Sequence, residues 1–576
     1  MDNKKIASIF EEMADILDIR GENVFRVNAY RKAAIVILNF PYDLRDVVDK
    51  EPKQLENIPG IGKALKDKII ELVNTGKCKE CDELKKSVPK GLLEILEIRG
   101  IGPKKVKAFY LNLNVKNIND LKEACEKHKI KDLPGMGEKT ENEILKAINE
   151  HAYFSTKRHL ISEAMAEATR FISYMEKCED IKRIEYAGSL RRRQETIGDI
   201  DILVTVKNPK KSGDAVMKHF ANYREILTII SQGDTKSSVI LGSGIQVDLR
   251  VVADESFGAA LHYFTGNKDH NIKIRDLAKR KGLKISEYGV FKNEKMIAGQ
   301  KEEDIFKSVG LPYIIPELRN NDGEIEYGLK NGKFPEFIEL KDIRGDLHSH
   351  TTYSDGAAGL YEMAQAFIAK GYEYFAVTDH SSVMGVTGGM GTKDIHKQWE
   401  EIDEVSKKLK GKIKILKGCE VDILKDGSLD FGDDVLKELD IVVISAHLYG
   451  RLPFDEQTER LITAIENPYS TILGHPTGRL INKRAPMEFD MERVIEACVK
   501  NHVAIEINSN PLRLDLPDKF IKIAKEKGAK FVIDTDSHSP DQPDFMEYGI
   551  FNARRGWLTK GDVLNTRSFG KFDTYF

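Results

Sequence analysis

Short apolar runs alternate with longer amphipathic stretches throughout residues 340–576. The apolar runs fit buried strands, and the stretches between them have the spacing of helices that cover a sheet. A repeated strand–helix unit predicts a parallel sheet or a parallel barrel. The runs read YFAVTDH, IKILKGCEVD, DIVVISAH, STILGHP, HVAIEINS and KFVIDTDSH.

The part before this repeat has a different pattern, in which a helical stretch at 151–180 is followed by short apolar strands. Helices and strands mixed in this way predict an α+β domain. Residues 261–291 predict a turn, a helix and further short strands. Residues 316–338 are polar and contain Gly and Pro, so we expect a linker there. The strands read RIEYAG, DIDILVTV, SSVILG and IQVDLRVV.

A Gly-x-Gly motif occurs three times in the first 150 residues, each time followed by a Lys-bearing helical pattern: IPGIGKALKDKI, IRGIGPKKVKAF and LPGMGEKTENEI. Gly permits a tight hairpin, and the free amides at the next helix start can bind a phosphate. Three ordinary helix–turn–helix joints are the alternative. The pattern resembles helix-hairpin-helix motifs, which hold the DNA backbone without reading sequence. The expected contacts are Gly60, Gly62, Lys63, Gly100, Gly102, Lys104, Gly135 and Gly137.

Composition narrows the class of protein. A chain of 576 residues with 41% hydrophobic and 31% charged residues predicts several globular domains. A net charge of −3 gives no support to a strongly basic nucleic-acid binder, so any such contact must come from local patches. Six Cys do not form a disulfide framework. Because no apolar run reaches the roughly 18 residues of a membrane span and the start lacks a signal-peptide core, we expect a cytoplasmic protein.

Three aspartates on neighbouring predicted strands form the first candidate site. Asp199 and Asp201 are two positions apart, which places both carboxylates on one face of a strand, and Asp248 lies in the run IQVDLRV. Clustered carboxylates repel each other unless cations share the site, and hard oxygen ligands suit Mg²⁺ or Mn²⁺. Small residues and an Arg directly upstream fit a metal–triphosphate: Gly188, Ser189 and Arg192.

The stretch AGSLRRRQETIGDIDILV resembles the nucleotidyltransferase signature of family X DNA polymerases, of which DNA polymerase beta is the familiar member. NAYRKAA, YFTGNKDHN and KGLKISEY extend the resemblance over residues 1–315. It implies that Asp199 and Asp201 bind both metals, and that Asp248 binds the catalytic one. It further implies that Gly188, Ser189 and Arg192 hold the triphosphate and that Tyr263, Phe264 and Gly266 pack against the sugar. Asn271 would contact the incoming base and Arg275 the template strand. Arg250 and Glu287 would couple closure of the enzyme to the site.

The sequence also departs from that family. Gln246 stands where the beta enzyme has Arg, and Ile272 where a basic residue contacts the template, so we expect different charge at the primer end. By alignment on the first Gly-x-Gly, Lys68 matches the Schiff-base nucleophile of the family's lyase domain, with Tyr30 nearby. A helper Lys is replaced by Ala64, and an ordinary phosphate-binding role for Lys68 is the alternative.

The second candidate site consists of His and acidic residues that follow the strands of the C-terminal repeat. The carboxyl ends of strands in such a repeat meet on one side, where barrels of this type place their chemistry. Nine nitrogen and oxygen ligands exceed the needs of one ion, so we expect two or three Zn²⁺, Mn²⁺ or Fe²⁺ ions and phosphoester hydrolysis. The residues are His348, His350, Asp355, His380, Glu420, His447, His475, Asp536 and His538.

The series DLHSHTTYSDG, TDH, GCE, SAHLYG, LGHP and DTDSH resembles the polymerase-and-histidinol-phosphatase (PHP) domain over residues 340–576. The resemblance implies a distorted TIM-like barrel in which those nine residues bind metal. Polymerase followed by PHP is the arrangement of bacterial and archaeal family X polymerases. It implies gap-filling synthesis in DNA repair with an Mn²⁺-dependent 3′–5′ exonuclease, and cleavage at abasic sites or 3′-phosphate removal as related activities. Arg451 and Arg479 are candidate phosphate contacts by charge alone.

Together these patterns predict a multidomain chain that binds gapped or nicked double-stranded DNA and dNTPs, without a membrane, as a nucleoid-associated monomer. A template-independent nucleotidyltransferase fused to a small-molecule phosphatase is one alternative, and a non-enzymatic scaffold on repair DNA is another. The expected domains are a helical lyase-like domain (1–88), a helical DNA-binding domain (89–150), an α+β nucleotidyltransferase palm (151–255), a thumb-like subdomain (256–315), a linker (316–339) and the PHP barrel (340–576).

Overall fold

The structure is a computed structural model, and it describes residues 3–38, 44–50, 52–57, 61–96, 98, 101–154, 158–208, 212–383 and 388–572. The chain forms two compact units, Met1–Lys157 and Arg158–Phe576. None of the helices in the described ranges is long and apolar enough to cross a membrane.

The first unit is helical and packs around one apolar cluster that includes Phe10, Ile69 and Phe109. Its elements are α1 (Asn3–Arg20), α2 (Val24–Leu38), α3 (Leu44–Lys50), a 3₁₀ helix (Pro52–Asn57), α4 (Lys63–Thr75), α5 (Lys79–Lys86), α6 (Gly91–Leu96), α7 (Pro103–Leu113), α8 (Ile118–Glu126) and α9 (Glu138–Phe154).

The second Gly of each repeat directly precedes a helix. Gly62 and Gly102 cap α4 and α7 with extended backbone, and Gly137 precedes α9. A Cβ added at any of the three would meet no other atom within 4 Å, so these helix starts face open space. Free amides in that position are what a phosphate needs. The predicted contacts Gly60 and Gly100 lie outside the described residues.

The second unit begins with a palm built on a sheet of strand order β2-β4-β7-β6-β5, in which β4 and β7 are parallel and the other neighbours antiparallel. Ile200, Ile202 and Val204 point from β4 into an apolar core, so the alternate residues of this strand face the other side. The elements are β1 (His159–Leu160), α10 (Ile161–Met175), β2 (Ile181–Tyr186), α11 (Gly188–Arg191), β3 (Thr196–Ile197), β4 (Asp199–Val206), α12 (Ser212–Ala221), β5 (Ile226–Gln232), β6 (Lys236–Leu241) and β7 (Gln246–Val251).

The thumb-like part combines helices with a small antiparallel sheet of order β10-β9-β8. Its elements are a 3₁₀ helix (Asp254–Ser256), α13 (Phe257–Thr265), α14 (Lys268–Arg280), β8 (Lys284–Ser286), β9 (Gly289–Lys292), β10 (Lys295–Ala298) and α15 (Glu302–Ser308).

Residues 316–339 differ from the linker that their composition suggests. They form a 3₁₀ helix (Pro316–Leu318) and α16 (Glu324–Asn331), and Arg319 is completely buried. Arg319 donates to Glu302 over 2.5 Å, and Glu324 accepts from His270 over 2.7 Å. The segment is packed because its charged side chains pair with buried partners of the thumb.

The C-terminal part is a barrel whose strands β11 to β17 follow one another in chain order, all parallel. Ser349 and Ser537 bridge just beyond the first and last strands, so the barrel is nearly closed. Its strands are β11 (Gly345–Asp346), β12 (Tyr374–Val377), β13 (Lys414–Asp422), β14 (Ile441–Ser445), β15 (Ile472–Leu473), β16 (Ala504–Asn508) and β17 (Phe531–Asp534).

Helices cover the outside of the barrel, as the amphipathic stretches predict. They are α17 (Leu360–Ala369), α18 (Thr392–Leu409), α19 (Asp433–Leu436), α20 (Phe454–Ile465), α21 (Met491–Lys500), α22 (Asp518–Glu526) and α23 (Met546–Arg555), with 3₁₀ helices Leu340–Asp342, Gln542–Phe545 and Lys560–Asp562. The 3₁₀ helix Leu564–Thr566 and α24 (Phe569–Phe572) instead pack against the other side of the strands, where Leu564 and Phe572 join a cluster with Val443. The palm and the barrel share apolar packing, because Ile481, Leu514 and Phe551 of the barrel belong to the palm core.

Candidate active sites

The three predicted aspartates of the palm lie together on parallel strands. Asp199 and Asp201 occupy one face of β4, and Asp201 stands directly opposite Asp248 of β7. Asp248 accepts a hydrogen bond from Gln246 over 2.7 Å, and Lys236 lies 3.6 Å from it. The Gln that replaces the family's Arg therefore contacts the third carboxylate directly.

Repulsion among these buried carboxylates favours the binding of cations. Burial, together with Asp199 and Asp248, raises the pKa of Asp201 to about 7. Burial and the charge of Asp248 likewise raise the pKa of Asp199. Carboxylates that resist ionisation when alone become good ligands once a divalent ion supplies positive charge. The residues present therefore fit a magnesium or manganese site.

Gly188 sits where only glycine fits. Its φ is +63°, and a Cβ there would overlap Asp201 Oδ2. The amide of Ala187 donates to the carbonyl of Asp201 over 2.8 Å, which holds the start of α11 against β4. The start of this short helix is thereby placed beside the carboxylates.

A cleft of about 470 Å³ opens beside the aspartates. Asn271 donates to the carbonyl of Tyr263 over 2.7 Å, and Arg250 stacks 4.3 Å over Phe264. Burial and the nearby Arg319 lower the pKa of Arg192 to about 10, and its Nε has no hydrogen-bond partner among the described residues. The lining combines predicted nucleotide contacts with residues not foreseen: Gly188, Ser189, Arg192, Asp199, Asp201, Tyr263, Phe264, Gly266, Asn271 and Arg275, and then Arg158, Gly198, Asn267 and Lys268.

In the barrel the nine predicted ligands converge at the carboxyl ends of the strands. Three groups each bring their ligand atoms within 4.8 Å of one another. These groups are His350, Asp355, His380 and His538; His348, His350 and Asp536; and His380, Glu420 and His447. His475 joins them, with its Nε2 2.9 Å from Glu420 Oε1.

Glu420 is the centre of this cluster. Its two oxygens lie 2.9 Å from His380 Nδ1 and 3.3 Å from His447 Nε2. Both oxygens are buried without a hydrogen-bond donor in the described structure, as are both ring nitrogens of His350. Buried ligand atoms left unpaired are costly, and divalent cations satisfy them. The cluster therefore fits more than one metal ion, and Glu420 would be a ligand shared between them.

A second layer of acidic residues orients the ligands. His348 Nδ1 lies 2.6 Å from Glu506, and His447 Nδ1 lies 3.2 Å from Asp422. Carboxylates behind metal-ligating His residues fix the ring and its tautomer. Arg513 lies 3.4 Å from Asp536, and one of its terminal nitrogens is buried without an acceptor within the described ranges.

Family models agree with this geometry over four segments. The helix-hairpin-helix domain matches residues 1–78, and the SAM-like helix-hairpin-helix tandem matches residues 92–150. The DNA polymerase beta thumb matches residues 260–320, and the PHP domain matches residues 346–510.

Whole-chain comparison adds the decisive observation. The DNA polymerase/3′-5′ exonuclease PolX of Bacillus subtilis (strain 168) is 39% identical over 582 residues, covering 100% of this chain and 99% of that protein. The chain belongs to the PolX family. DNA polymerase lambda of Arabidopsis thaliana is 25% identical over 55% of the chain, and a probable phosphatase of Thermoanaerobacter sp. (strain X514) is 30% identical over 40% of it. The predicted family and fold class are thereby confirmed.

Several polar residues of this PolX chain escaped the sequence analysis. Glu506 and Asp422 lie within apolar strand runs, where no motif marks them as functional. Arg513 lies in a loop without a recognisable motif. Arg479, expected as a phosphate contact, is instead engaged by Glu195 and by the carbonyls of Arg513 and Leu514. Arg451 is exposed, and its role stays a prediction.

Lys68 also has a defined environment in this PolX chain. Its ammonium lies 2.8 Å from Glu80, and the hydroxyl of Tyr30 donates to the same carboxylate over 2.9 Å. Lys68 and Tyr30 are thus brought together through Glu80. Both roles of Lys68, phosphate contact and Schiff-base nucleophile, stay predictions.

Proposed function

We propose that this protein is a DNA polymerase that fills short gaps in repair and carries a 3′–5′ exonuclease in its barrel. The observation that carries the proposal is the presence of two complete ligand sets, one in the palm and one in the barrel, on a chain similar to PolX from end to end. The partners are gapped or nicked double-stranded DNA and dNTPs, held by a monomer in the cytoplasm at the nucleoid.

In the palm, Asp199, Asp201 and Asp248 would hold Mg²⁺ or Mn²⁺, which neutralise the triphosphate and lower the pKa of the primer hydroxyl. Arg192 lines the cleft and would meet the triphosphate with its guanidinium. Tyr263 and Phe264 pack beside the sugar, and Asn271 presents its amide to the base. These contacts align the primer hydroxyl with the phosphate that it attacks.

In the barrel, the nine clustered ligands would hold two or three ions, with Mn²⁺ favoured over Zn²⁺ and Fe²⁺. Bound ions would supply a hydroxide at neutral pH and bind the scissile phosphate. Arg513, which lies 3.4 Å from Asp536, would add positive charge beside this phosphate site. The released product is a mononucleotide from the 3′ end of DNA.

Three further activities belong to the proposal, two at the barrel cluster and one at Lys68. The similarity of the barrel to a probable phosphatase supports removal of a 3′-phosphate by the barrel ligands, and cleavage at abasic sites would use the same ligands. Lys68, which pairs with Glu80, would bind the 5′-phosphate at a gap, and a lyase reaction there would require that its ammonium first lose a proton.

A labelled duplex with a one-nucleotide gap tests the proposal. In Mg²⁺ with dNTPs we expect extension by one nucleotide, and in Mn²⁺ without dNTPs we expect stepwise shortening of the 3′ end. Replacing Asp199 and Asp201 with Ala abolishes extension and spares shortening, whereas His348→Ala with His350→Ala has the reverse effect. Extension by the first variant, or shortening by the second, would contradict the assignment of that site.

A further inference from the structure

An ion pair joins the polymerase half to the barrel beside the nucleotide cleft. The guanidinium of Arg479 meets the carboxylate of Glu195 with both terminal nitrogens, over 3.3 and 2.5 Å. The Arg479 side chain is 12% exposed and that of Glu195 is 35% exposed, so the pair is only half-buried on the Glu195 side. A two-pronged contact of this kind fixes orientation as well as distance.

On the barrel side, Arg479 is held rigidly. Its Nε donates to the carbonyl of Arg513 over 2.8 Å, and a terminal nitrogen donates to the carbonyl of Leu514 over 2.6 Å. Asp515 in the same loop accepts from Thr477, two residues after His475. The guanidinium is therefore positioned by the loop that also carries Arg513 to the metal cluster.

On the polymerase side, Glu195 lies in the sequence between two residues that line the nucleotide cleft. Arg192 precedes it by three residues, and Asp199 follows it by four. Its carbonyl accepts from the amide of Ile161 over 3.2 Å, and the next residue, Thr196, accepts from Arg158 over 2.8 Å. A shift of Glu195 would act through the adjacent Thr196 on Arg158, a third residue of the cleft lining.

Other contacts from the barrel reach the same loop. Arg193 stacks 4.3 Å from the ring of Phe551, and its carbonyl accepts from Arg555. Asn482 donates to the carbonyl of Arg158 over 2.6 Å. The barrel thus contacts Arg158 and Arg193 as well as Glu195, and Arg479 supplies the ion pair among these contacts.

We propose that Arg479 is a positioning residue for nucleotide addition, acting through Glu195 to place Arg192, Arg158 and Asp199 around the incoming triphosphate. The hydrolytic barrel is then a structural part of the polymerase site. The inference rests on the proposed function, since it concerns the same nucleotide cleft. It assigns to Arg479 a role in synthesis in place of the phosphate contact expected from charge alone.

The test compares variants of the full-length protein in gap filling. Glu195→Ala raises the KM for dNTP by roughly ten- to hundredfold, because misplacement by about 1 Å has that effect on positioned groups. Glu195→Gln keeps the size and one acceptor and has an intermediate KM. Glu317 is the matched control, since it accepts from Arg554 of the barrel over 2.9 Å and does not line the cleft. Glu317→Ala should leave the KM within about twofold.

A double variant separates positioning from general loss of packing. If the pair acts as a unit, Glu195→Ala with Arg479→Ala raises the KM no further than the worse single change. Unchanged KM in both Glu195 variants, or additive effects in the double variant, would overturn the inference. Affinity for dTTP with Mg²⁺, measured by calorimetry, needs no turnover. If the unaltered protein adds no nucleotide, the proposed function is wrong, and the calorimetric comparison still decides the role of the pair.

Discussion

At the scale of single residues, Gly188 shows how the backbone shapes the polymerase site. Its positive φ and the overlap that a Cβ would have with Asp201 leave room for glycine alone. We expect Gly188→Ala to displace the carboxylate of Asp201 and lower kcat for gap filling by about a hundredfold.

Gly282 provides the control for this prediction. Its φ is +68°, but a Cβ there meets no other atom within 4 Å. Gly282→Ala therefore carries only the backbone strain, about 1–2 kcal/mol, without the overlap. A kcat that falls equally in the two variants would show that strain, and not displacement of Asp201, is responsible.

Residue patterns predicted the ligands and missed most of the residues that position them. Asp199 and Asp201 follow strand spacing, and the His ligands follow apolar runs, so both could be read locally. Glu195 and Arg479 are 284 positions apart, and Glu506 meets His348 across 158 positions. Such pairs form only when the barrel closes and packs on the palm, and no local periodicity encodes them.

At the scale of elements, the helix starts of the first unit make a prediction about DNA binding. Lys63, Lys104 and Lys139 are exposed in the first turn of α4, α7 and α9. If each contacts a phosphate, replacing one with Ala weakens binding equally for all sequences. The slope of log K against log salt then falls by about 0.9 for each lost contact. Fluorescence anisotropy at several salt concentrations measures it, and Lys79 at the start of α5, which lacks the motif, is the control.

The first turn of α15 joins the palm to the thumb through charge. Glu302 accepts from both terminal nitrogens of Arg191 over 2.8 Å, and also from Arg319 and Tyr313. Burial opposes ionisation, but Arg319 and Arg191 hold the pKa of Glu302 well below its usual value. Glu302→Gln would leave two buried guanidinium groups short of charge, at a cost of about 3–5 kcal/mol.

The destabilisation caused by Glu302→Gln should depend on pH in a definite direction. A carboxyl group whose pKa is lower in the folded state stabilises it fully above its unfolded pKa of about 4.3. This contribution is lost as the pH falls through the folded pKa. The difference in thermal stability between the unaltered protein and Glu302→Gln should thus be largest at pH 7 and narrow below about pH 4. A constant difference over that range would show that Glu302 is not ionised in the folded state.

Elements were predicted best where periodicity was strong. DIDILVTV forms β4 over its full length, and the C-terminal runs form the barrel strands. The strand β5 (Ile226–Gln232) was missed, and its residues are mostly exposed or half-buried, so they show no clear apolar face. Residues 316–339 were expected as a linker because polar composition does not show that Arg319 and Glu324 have buried partners.

At the scale of the whole molecule, packing between the palm and the barrel makes the stability of the palm depend more on the barrel than that of the barrel depends on the palm. The two core clusters of the barrel contain residues from Ile338 to Phe572 and none from the palm, whereas the palm core includes Ile481, Leu514 and Phe551 of the barrel, each contributing up to about 1.5–3 kcal/mol. We expect residues 338–576 expressed alone to melt near the temperature of the barrel in the full chain and to hydrolyse a chromogenic thymidine phosphodiester in Mn²⁺. Residues 1–339 alone should melt lower in the palm and bind dNTP more weakly, because both the apolar support and Arg479 are gone. Scanning calorimetry of both halves and the full chain measures this asymmetry. A palm that melts and binds unchanged without the barrel would mean that their shared core adds nothing to either.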